Sequence, residues 1–315
     1  MTHHVIVGSG PVGSATARQL VEAGHRVTVV SRSGSGPAHP AIERVATDAS
    51  DSAALTRLSA GAHTLYNCAN PPYHRWPADW PPLATALLTA AERSGAVLVT
   101  MSNLYGYGAV EGPITEDMPL AATGTKGRVR AGMWRDALAA HEAGRIRAVE
   151  ARASDYYGPE IVTNGHVGGQ FMPRLLAGKP ARVLQGDPDA PHSWTYLPDA
   201  AAALVTLGTD ERAWGRAWHV PTAPPLSLRE VASHTARIAK VADRGVRVLP
   251  RWAIRAGGLA VSLLRELDEV SYQFDRPFVL DSAAFTHTFG MRPTPVDEGL
   301  RATVDWWRAR QKAAA

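Results

Sequence analysis

The chain has 315 residues, 45% of them hydrophobic and 20% charged, with a formal net charge of +4. That is apolar material enough for a large core, which excludes a disordered chain, and the scattered Pro and Gly exclude collagen-like or low-complexity sequence. Lys and Arg are spread along the whole length, so no nucleic-acid or membrane footprint stands out.

A single cysteine, Cys68, leaves no internal disulfide, and the start, MTHHVIVGSG, lacks a charged segment followed by an apolar one. The longest nearly apolar helical stretch, Ala256 to Leu264, falls well short of the roughly 20 residues that a membrane span needs. A cytoplasmic protein without a membrane partner is expected.

The first third alternates short β-branched runs with helical patterns. VIV at 5–7 predicts a strand, 14–23 a helix ended by Gly24, VTVV at 27–30 a second strand and HTLYNCA at 63–69 another. Residues 71–82, PPYHRWPADWPP, hold five prolines and three aromatic residues and read as a loop. AVLVTM at 96–101 and RAVEARAS at 147–154 extend the strand pattern. Alternation of this kind predicts parallel strands joined by crossover helices.

Gly8-Ser9-Gly10-Pro11-Val12-Gly13 follows the first strand at once and opens a helix. In a dinucleotide-binding turn the first glycine makes the bend, the second lets a pyrophosphate approach the backbone, and the third lets helix and strand pack closely. The helix start offers N–H groups to the anion. The expected fold is α/β: a Rossmann-type doubly wound parallel sheet in residues 1–155, with 156–315 mainly a smaller substrate-binding lobe interleaved with the end of the sheet. The second strand ends at Ser31-Arg32-Ser33, with no carboxylate for a ribose 2′-hydroxyl, which favours NADP, with NAD possible. The alternative is that Arg32 is a solvated loop charge.

The glycine turn, Asp48 after ERVATD, AVLVTMSNLYGYG, ITEDMPL, RASDYYGP, and WTYLPDAA followed by LSLREVA together resemble an extended short-chain dehydrogenase/reductase. Nucleotide-sugar epimerases and dehydratases are the best-known members. The resemblance implies that Asp48 contacts the adenine and that Ala69 lines the nicotinamide side. It also implies helix-mediated dimers, with 136–145 as a candidate segment.

The same resemblance implies a Ser or Thr ahead of a hydrophobic-Tyr-Gly turn and then Tyr-x-x-x-Lys, the Tyr exchanging a proton and the Lys assisting it. Aligned on Leu104-Tyr105-Gly106 and Thr115-Glu116-Asp117, this chain departs from that pattern: Met101 takes the serine place, with Ser102 and Asn103 beside it, Lys126 the tyrosine and Arg130 the lysine. Two readings stay open. In one, Lys126 replaces the tyrosine as general acid/base, burial and the nearby Arg130 disfavouring its protonated form, while Arg130 holds ribose or carries charge. In the other, TGTKGRVR is a solvated basic stretch and catalysis is lost or relocated.

Tyr105 and Tyr107 follow the strand at whose carboxyl end active-site groups collect in open α/β sheets. Asp155 stands where the family often has a substrate-contacting Asn, and an acid there disfavours an anionic ligand. His192 stands where family epimerases hold a diphosphate with Arg, and imidazole replaces a guanidinium poorly. Tyr73, Trp76 and Trp80 either cover an apolar or ring-shaped substrate or pin their loop to the core. No metal site is expected, and Cys68 reads as a small buried residue.

The candidate catalytic residues are thus Lys126, Arg130, Tyr105 and Asp155. The candidate cofactor residues are Gly8, Ser9, Gly10, Pro11, Val12, Gly13, Ser31, Arg32, Asp48 and Ala69. The expected activity is NADP-dependent reduction of a carbonyl or related group on a small non-phosphorylated metabolite. A redox-neutral epimerase or dehydratase of a sugar-like substrate and a non-catalytic NADP sensor are the alternatives.

Overall fold

A computed structural model describes residues 1–163, 165–249, 266 and 268–313. The apolar stretch at 256–264 lies outside the described residues. Contacts divide the chain into two compact units, one made of Met1–Gly108, Glu116–Ala153 and Ala200–Val220, the other of Ala109–Thr115, Ser154–Asp199 and Pro221–Ala315.

The first unit runs β1 (His3–Val7), α1 (Pro11–Glu22), β2 (Arg26–Ser31), β3 (Ile42–Ala46), α2 (Ser52–Ser59), β4 (Thr64–Asn67), α3 (Trp76–Ser94), β5 (Val97–Asn103), α4 (Thr125–Glu142) and β6 (Arg147–Ala153). The second unit contributes β7 (Asp155–Tyr157), α5 (Met172–Leu176), β8 (Ala181–Val183) and β9 (Trp194–Tyr196). The chain then returns to the first unit with most of α6 (Leu197–Thr209) and with β10 (Ala217–His219). It closes in the second with α7 (Leu228–Ala239), β11 (Val246–Val248) and helices Ala283–Phe289 and Val296–Ala313.

Among the described residues seven strands form one parallel sheet in the order β10-β6-β5-β4-β1-β2-β3. Parallel strands covered on both faces need continuous apolar runs, and Val5, Ile6, Val7, Val27, Val29 and Val30 are all buried. Successive strands run outward from β1 on one side and from β4 on the other. The sheet therefore reverses its winding between β1 and β4, and a crevice for a ligand opens beyond their carboxyl ends.

The 71–82 segment is not a loop. Tyr73–Arg75 form a single tight turn, and α3 starts at Trp76 with Pro81 and Pro82 inside it. Pro77 costs nothing in the first turn, where its missing N–H has no partner to lose. Burial of Trp76, Trp80, Leu83, Leu87 and Ala90 on one face, at helical spacing, outweighs the donors lost at the two inner prolines. The aromatic residues carried the helical period, and the prolines masked it.

In the second unit β7 pairs with β9 and β8 with β11. Their core gathers Tyr157, Phe171, Met172, Trp194, Leu228, Val231, Leu300 and Trp307.

Candidate active site

The glycine turn is closely packed at two of its three glycines. Gly8 sits at φ +107°, and a Cβ there would lie 2.6 Å from the Cys68 carbonyl oxygen. A Cβ on Gly13 would collide with the Gly8 carbonyl oxygen, so α1 lies directly on the turn. Gly10, by contrast, faces open space with no atom within 4 Å of a would-be Cβ. It is the N-cap of α1, with no side-chain cap, Pro11 following, and no acidic residue in the first turn. The opening N–H groups of α1 are those of Val12 and Gly13, since Pro11 has none, and the residues present fit a pyrophosphate.

The loop after β2 is tied to this turn by a residue the sequence reading passed over. Ser35 Oγ lies 2.7 Å from Ser9 Oγ and accepts from Ser33 Oγ at 2.9 Å, while Ser31 Oγ donates to the Ser35 carbonyl at 3.1 Å. Arg32 is exposed beside this hydroxyl cluster. Asp48 is exposed, and its Oδ1 accepts from Ser50 N at 2.9 Å and Ser50 Oγ at 2.8 Å, which, with Arg32 nearby, holds the carboxyl below its ordinary value. Ala69 N donates to Asn67 Oδ1 at 3.2 Å, bending the chain out of β4.

Lys126 and Arg130 do not form a solvated basic stretch: they are only 1% and 6% exposed. They lie one turn apart on α4, whose first turn is pressed onto Tyr105, since a Cβ on Gly127 would lie 2.5 Å from the Tyr105 carbonyl oxygen. Lys126 Nζ stands 5.7 Å from the Tyr73 ring centre. The Arg130 guanidinium lies 4.7 Å from the Trp76 ring and 4.4 Å from the Trp80 ring, a cation held against two indole faces. Both indoles are fully buried, so they serve this clamp and the core and do not cover a substrate. Tyr73 and Tyr105, each half-buried, share a hydrogen bond at 2.9 Å between their hydroxyls. Met101 is buried with no hydroxyl to offer, and Ser102 is bound to Glu150 on the opposite face of β5.

Beneath Lys126 and Arg130 runs a buried polar chain that sequence reasoning missed apart from Tyr107. Arg152 Nε donates to Glu150 Oε1 at 2.7 Å and Arg152 Nη1 to Tyr107 Oη at 2.6 Å. Tyr107 Oη lies 2.8 Å from His219 Nε2, and His219 N donates to Glu116 Oε1 at 2.9 Å. Burial raises the Glu150 carboxyl against the pull of Arg152, and burial raises the Tyr107 phenol. The available clue was RAVEARA itself: Glu150 and Arg152 two apart, on one face of a segment already read as a strand.

In the second unit Asp155 and His192 meet. His192 Nδ1 faces the Gln273 carbonyl at 3.0 Å, an atom that only accepts, so this nitrogen donates. Nε2 is given to Asp155 Oδ2 at 3.0 Å, and the ring stacks on Phe274 and Phe278. Burial would raise the Asp155 carboxyl, but the bond and charge of His192 outweigh it and hold it low. The Cys68 thiol is pushed up to about 12 by burial, which removes it as a nucleophile at neutral pH. Among the described residues no helix is long and apolar enough to cross a membrane.

A model of the NAD dependent epimerase/dehydratase family matches residues 5–220, more than half of the chain. The chain belongs to that family. Solved structures agree on the fold. A dTDP-glucose 4,6-dehydratase from Bacillus anthracis, in complex with NAD, superposes with a TM-score of 0.81 at 17% identity, covering 99% of this chain and 98% of that one. A UDP-glucose 4-epimerase from Thermotoga maritima, with UDP-glucose, gives 0.80 at 16% identity over 98% and 99%. A UDP-glucuronic acid 4-epimerase from Bacillus cereus, in complex with NAD, gives 0.79 at 16% over 98% and 99%. A search of curated proteins by sequence finds no match. As a member of this family the chain is an NAD(P)-dependent enzyme by fold and family.

Proposed function

We propose that this family member moves hydride to or from a carbonyl or carbinol carbon of a small non-phosphorylated metabolite, with NADP as its preferred cofactor. The observation that carries this reading is the burial of Lys126 and Arg130 at the places of the family's Tyr and Lys. A buried cation pair against aromatic rings is costly to keep as mere surface charge, and a lysine can exchange a proton where arginine cannot. Bound nicotinamide supplies or accepts the hydride. Gly8 to Gly13 hold the pyrophosphate, Arg32 and the Ser9, Ser31, Ser33 and Ser35 hydroxyls receive a 2′-phosphate, and Asp48 and Ala69 flank the adenine and nicotinamide ends. Lys126 serves the proton exchange at the substrate oxygen, and Arg130 fixes the ribose side.

Asp155 Oδ2 is taken up by His192 Nε2 at 3.0 Å, and His192 Nδ1 by the Gln273 carbonyl, so neither side chain is left to grip a diphosphate, which supports a substrate without one. The family match, and neighbours named as a dehydratase and two epimerases, favour a redox-neutral cycle in which the cofactor is reduced and reoxidised within one turnover over net reduction.

Turnover of a carbonyl and polyol panel by wild type and Lys126→Ala, with NADPH affinity measured by calorimetry, tests the assignment. Loss of turnover with retained NADPH binding is expected, and unchanged turnover overturns the role of Lys126. Cofactor that co-purifies tightly, with no net change in reduced-nicotinamide absorbance during turnover, identifies the redox-neutral cycle.

A further inference from the structure

Tyr73 belongs to the segment that the sequence reads as a loop, and it stands against the same lysine that replaces the family's tyrosine. Its ring lies 5.7 Å from Lys126 Nζ, and its hydroxyl lies 2.9 Å from that of Tyr105. Three features hold this arrangement. Trp76, fully buried, packs edge-on to the Tyr73 ring at 5.1 Å and lies 6.0 Å from the Tyr105 ring, so both phenols rest on one indole. Gly127 lets α4 touch the Tyr105 backbone, so Lys126 enters at a fixed height. Asn103 Oδ1 accepts from Tyr105 N at 3.1 Å, which fixes the turn after β5.

We infer that Tyr73 and Tyr105 are the proton-transferring pair of this enzyme, Tyr73 facing the substrate oxygen and Lys126 acting as the cation beneath them. The inference rests on the proposed hydride chemistry and changes the role of Lys126 from last donor to electrostatic partner. Two half-buried phenols bonded to each other share one hydrogen between two oxygens, so a proton that leaves one is replaced from the other within a single hydrogen bond. An ammonium group set over a phenol ring favours its phenolate over its neutral form. The lysine stands against Tyr73, which places the better-stabilised phenolate there.

In the reducing direction, with hydride supplied to the carbonyl carbon by a nicotinamide that Gly8 to Gly13 would hold, Tyr73 gives its proton to the carbonyl oxygen, whose π pair becomes the new O–H bond. The Tyr73 O–H electrons remain on Oη as phenolate, the Tyr105 proton crosses to it, and a solvent proton restores Tyr105. Oxidation of an alcohol runs the same steps backward, so the pair serves net reduction and a redox-neutral cycle alike.

The experiment has a reading that needs neither substrate nor cofactor. Tyrosinate absorbance is titrated in the full-length wild type, Tyr73→Phe, Tyr105→Phe and Lys126→Met, and kcat and NADPH affinity are measured on the same proteins. The wild type is expected to show one phenol ionising about one pH unit or more below free tyrosine. That transition disappears in Tyr73→Phe and moves upward in Lys126→Met. Tyr73→Phe is expected to lower kcat by roughly 10²-fold or more, with NADPH affinity within about two-fold of wild type. The phenylalanine ring keeps the packing on Trp76, and unchanged thermal unfolding of the variant checks this. A Tyr73→Phe titration that superposes on the wild type, or a kcat within about three-fold of it, overturns the pair and returns the donor role to Lys126. Failure of both nicotinamide cofactors to bind would remove the proposed function instead, and the low phenol transition, read without cofactor, would still support the pair.

Discussion

Asp155 Oδ2 and His192 Nε2 lie 3.0 Å apart, and the same imidazole reaches the Gln273 carbonyl through Nδ1. The bond holds the Asp155 carboxyl below its ordinary value. A carboxyl lowered on folding contributes stability above its unfolded value and loses it as pH falls through the folded one. Asp155→Ala is therefore expected to cost about 2 kcal/mol at pH 7. Denaturant unfolding should show the gap to wild type closing only in acid, below the ordinary carboxylate range.

Gly10 and Gly13 separate cofactor binding from folding. Gly10→Ala meets no protein atom, so unfolding should change only by the capping loss of about 0.5–1 kcal/mol, while dinucleotide affinity falls about ten-fold or more. Gly13→Ala drives a Cβ into the Gly8 carbonyl and should lose stability together with affinity. Calorimetric titration beside denaturant unfolding distinguishes the two patterns.

Under the proposed NADP preference, Arg32, exposed beside the serine hydroxyls, meets the 2′-phosphate. Arg32→Ala should weaken NADPH by about ten-fold and leave NADH nearly unaffected. Equal losses for both cofactors in a fluorescence titration would show that the side chain is only a solvated charge.

The Glu150–Arg152 pair is 3% exposed on each side. Removing one partner leaves a buried charge, so Arg152→Met or Glu150→Gln should each destabilise by about 3–5 kcal/mol. The double variant Glu150→Leu with Arg152→Met should lose clearly less than the sum, as a double-mutant cycle in urea would measure.

At the other end of the sheet His4 is fully buried against His25, with ring centres 4.9 Å apart. Burial first, then the neighbouring His25, His63 and His3, lowers its pKa to about 3. The unfolded chain takes up a proton near pH 6.5 that the folded chain refuses, so stability should fall as pH drops from there toward 3. The slope from this one ring is up to about 1.4 kcal/mol per pH unit. His4→Phe should flatten the acid limb of a stability-against-pH curve and leave pH 8 little changed.

The central strands and the glycine turn were legible because their signals are local: continuous β-branched runs, and three glycines at fixed spacing between a strand and a helix, even though Gly8 is held free of a side chain by the distant Cys68 carbonyl. The opening of α3 was not, because proline is read as a breaker wherever it falls, although Trp76, Trp80, Leu83 and Leu87 already kept helical period. Lys126 and Arg130 could be placed by spacing to Leu104-Tyr105-Gly106, but their burial depends on Trp76, Trp80 and Tyr73, some 50 residues earlier in the sequence. Glu150 and Arg152 look like surface charge until β10 and α4 enclose them, and neither neighbour can be inferred from residues 147–153. The Asp155–His192 bond likewise joins positions whose partnership only pairing of β7 with β9 creates.

The edge position of β10 has a consequence for biosynthesis. Its partner β6 leaves the ribosome more than 60 residues before it, and until Ala217–His219 arrive, that strand presents open amide and carbonyl groups and the unsheltered Glu150–Arg152 pair. A nascent chain stalled or clipped in between would expose a ready template for intermolecular pairing. Chaperone engagement should therefore concentrate in the interval between the emergence of β6 from the ribosome and that of β10.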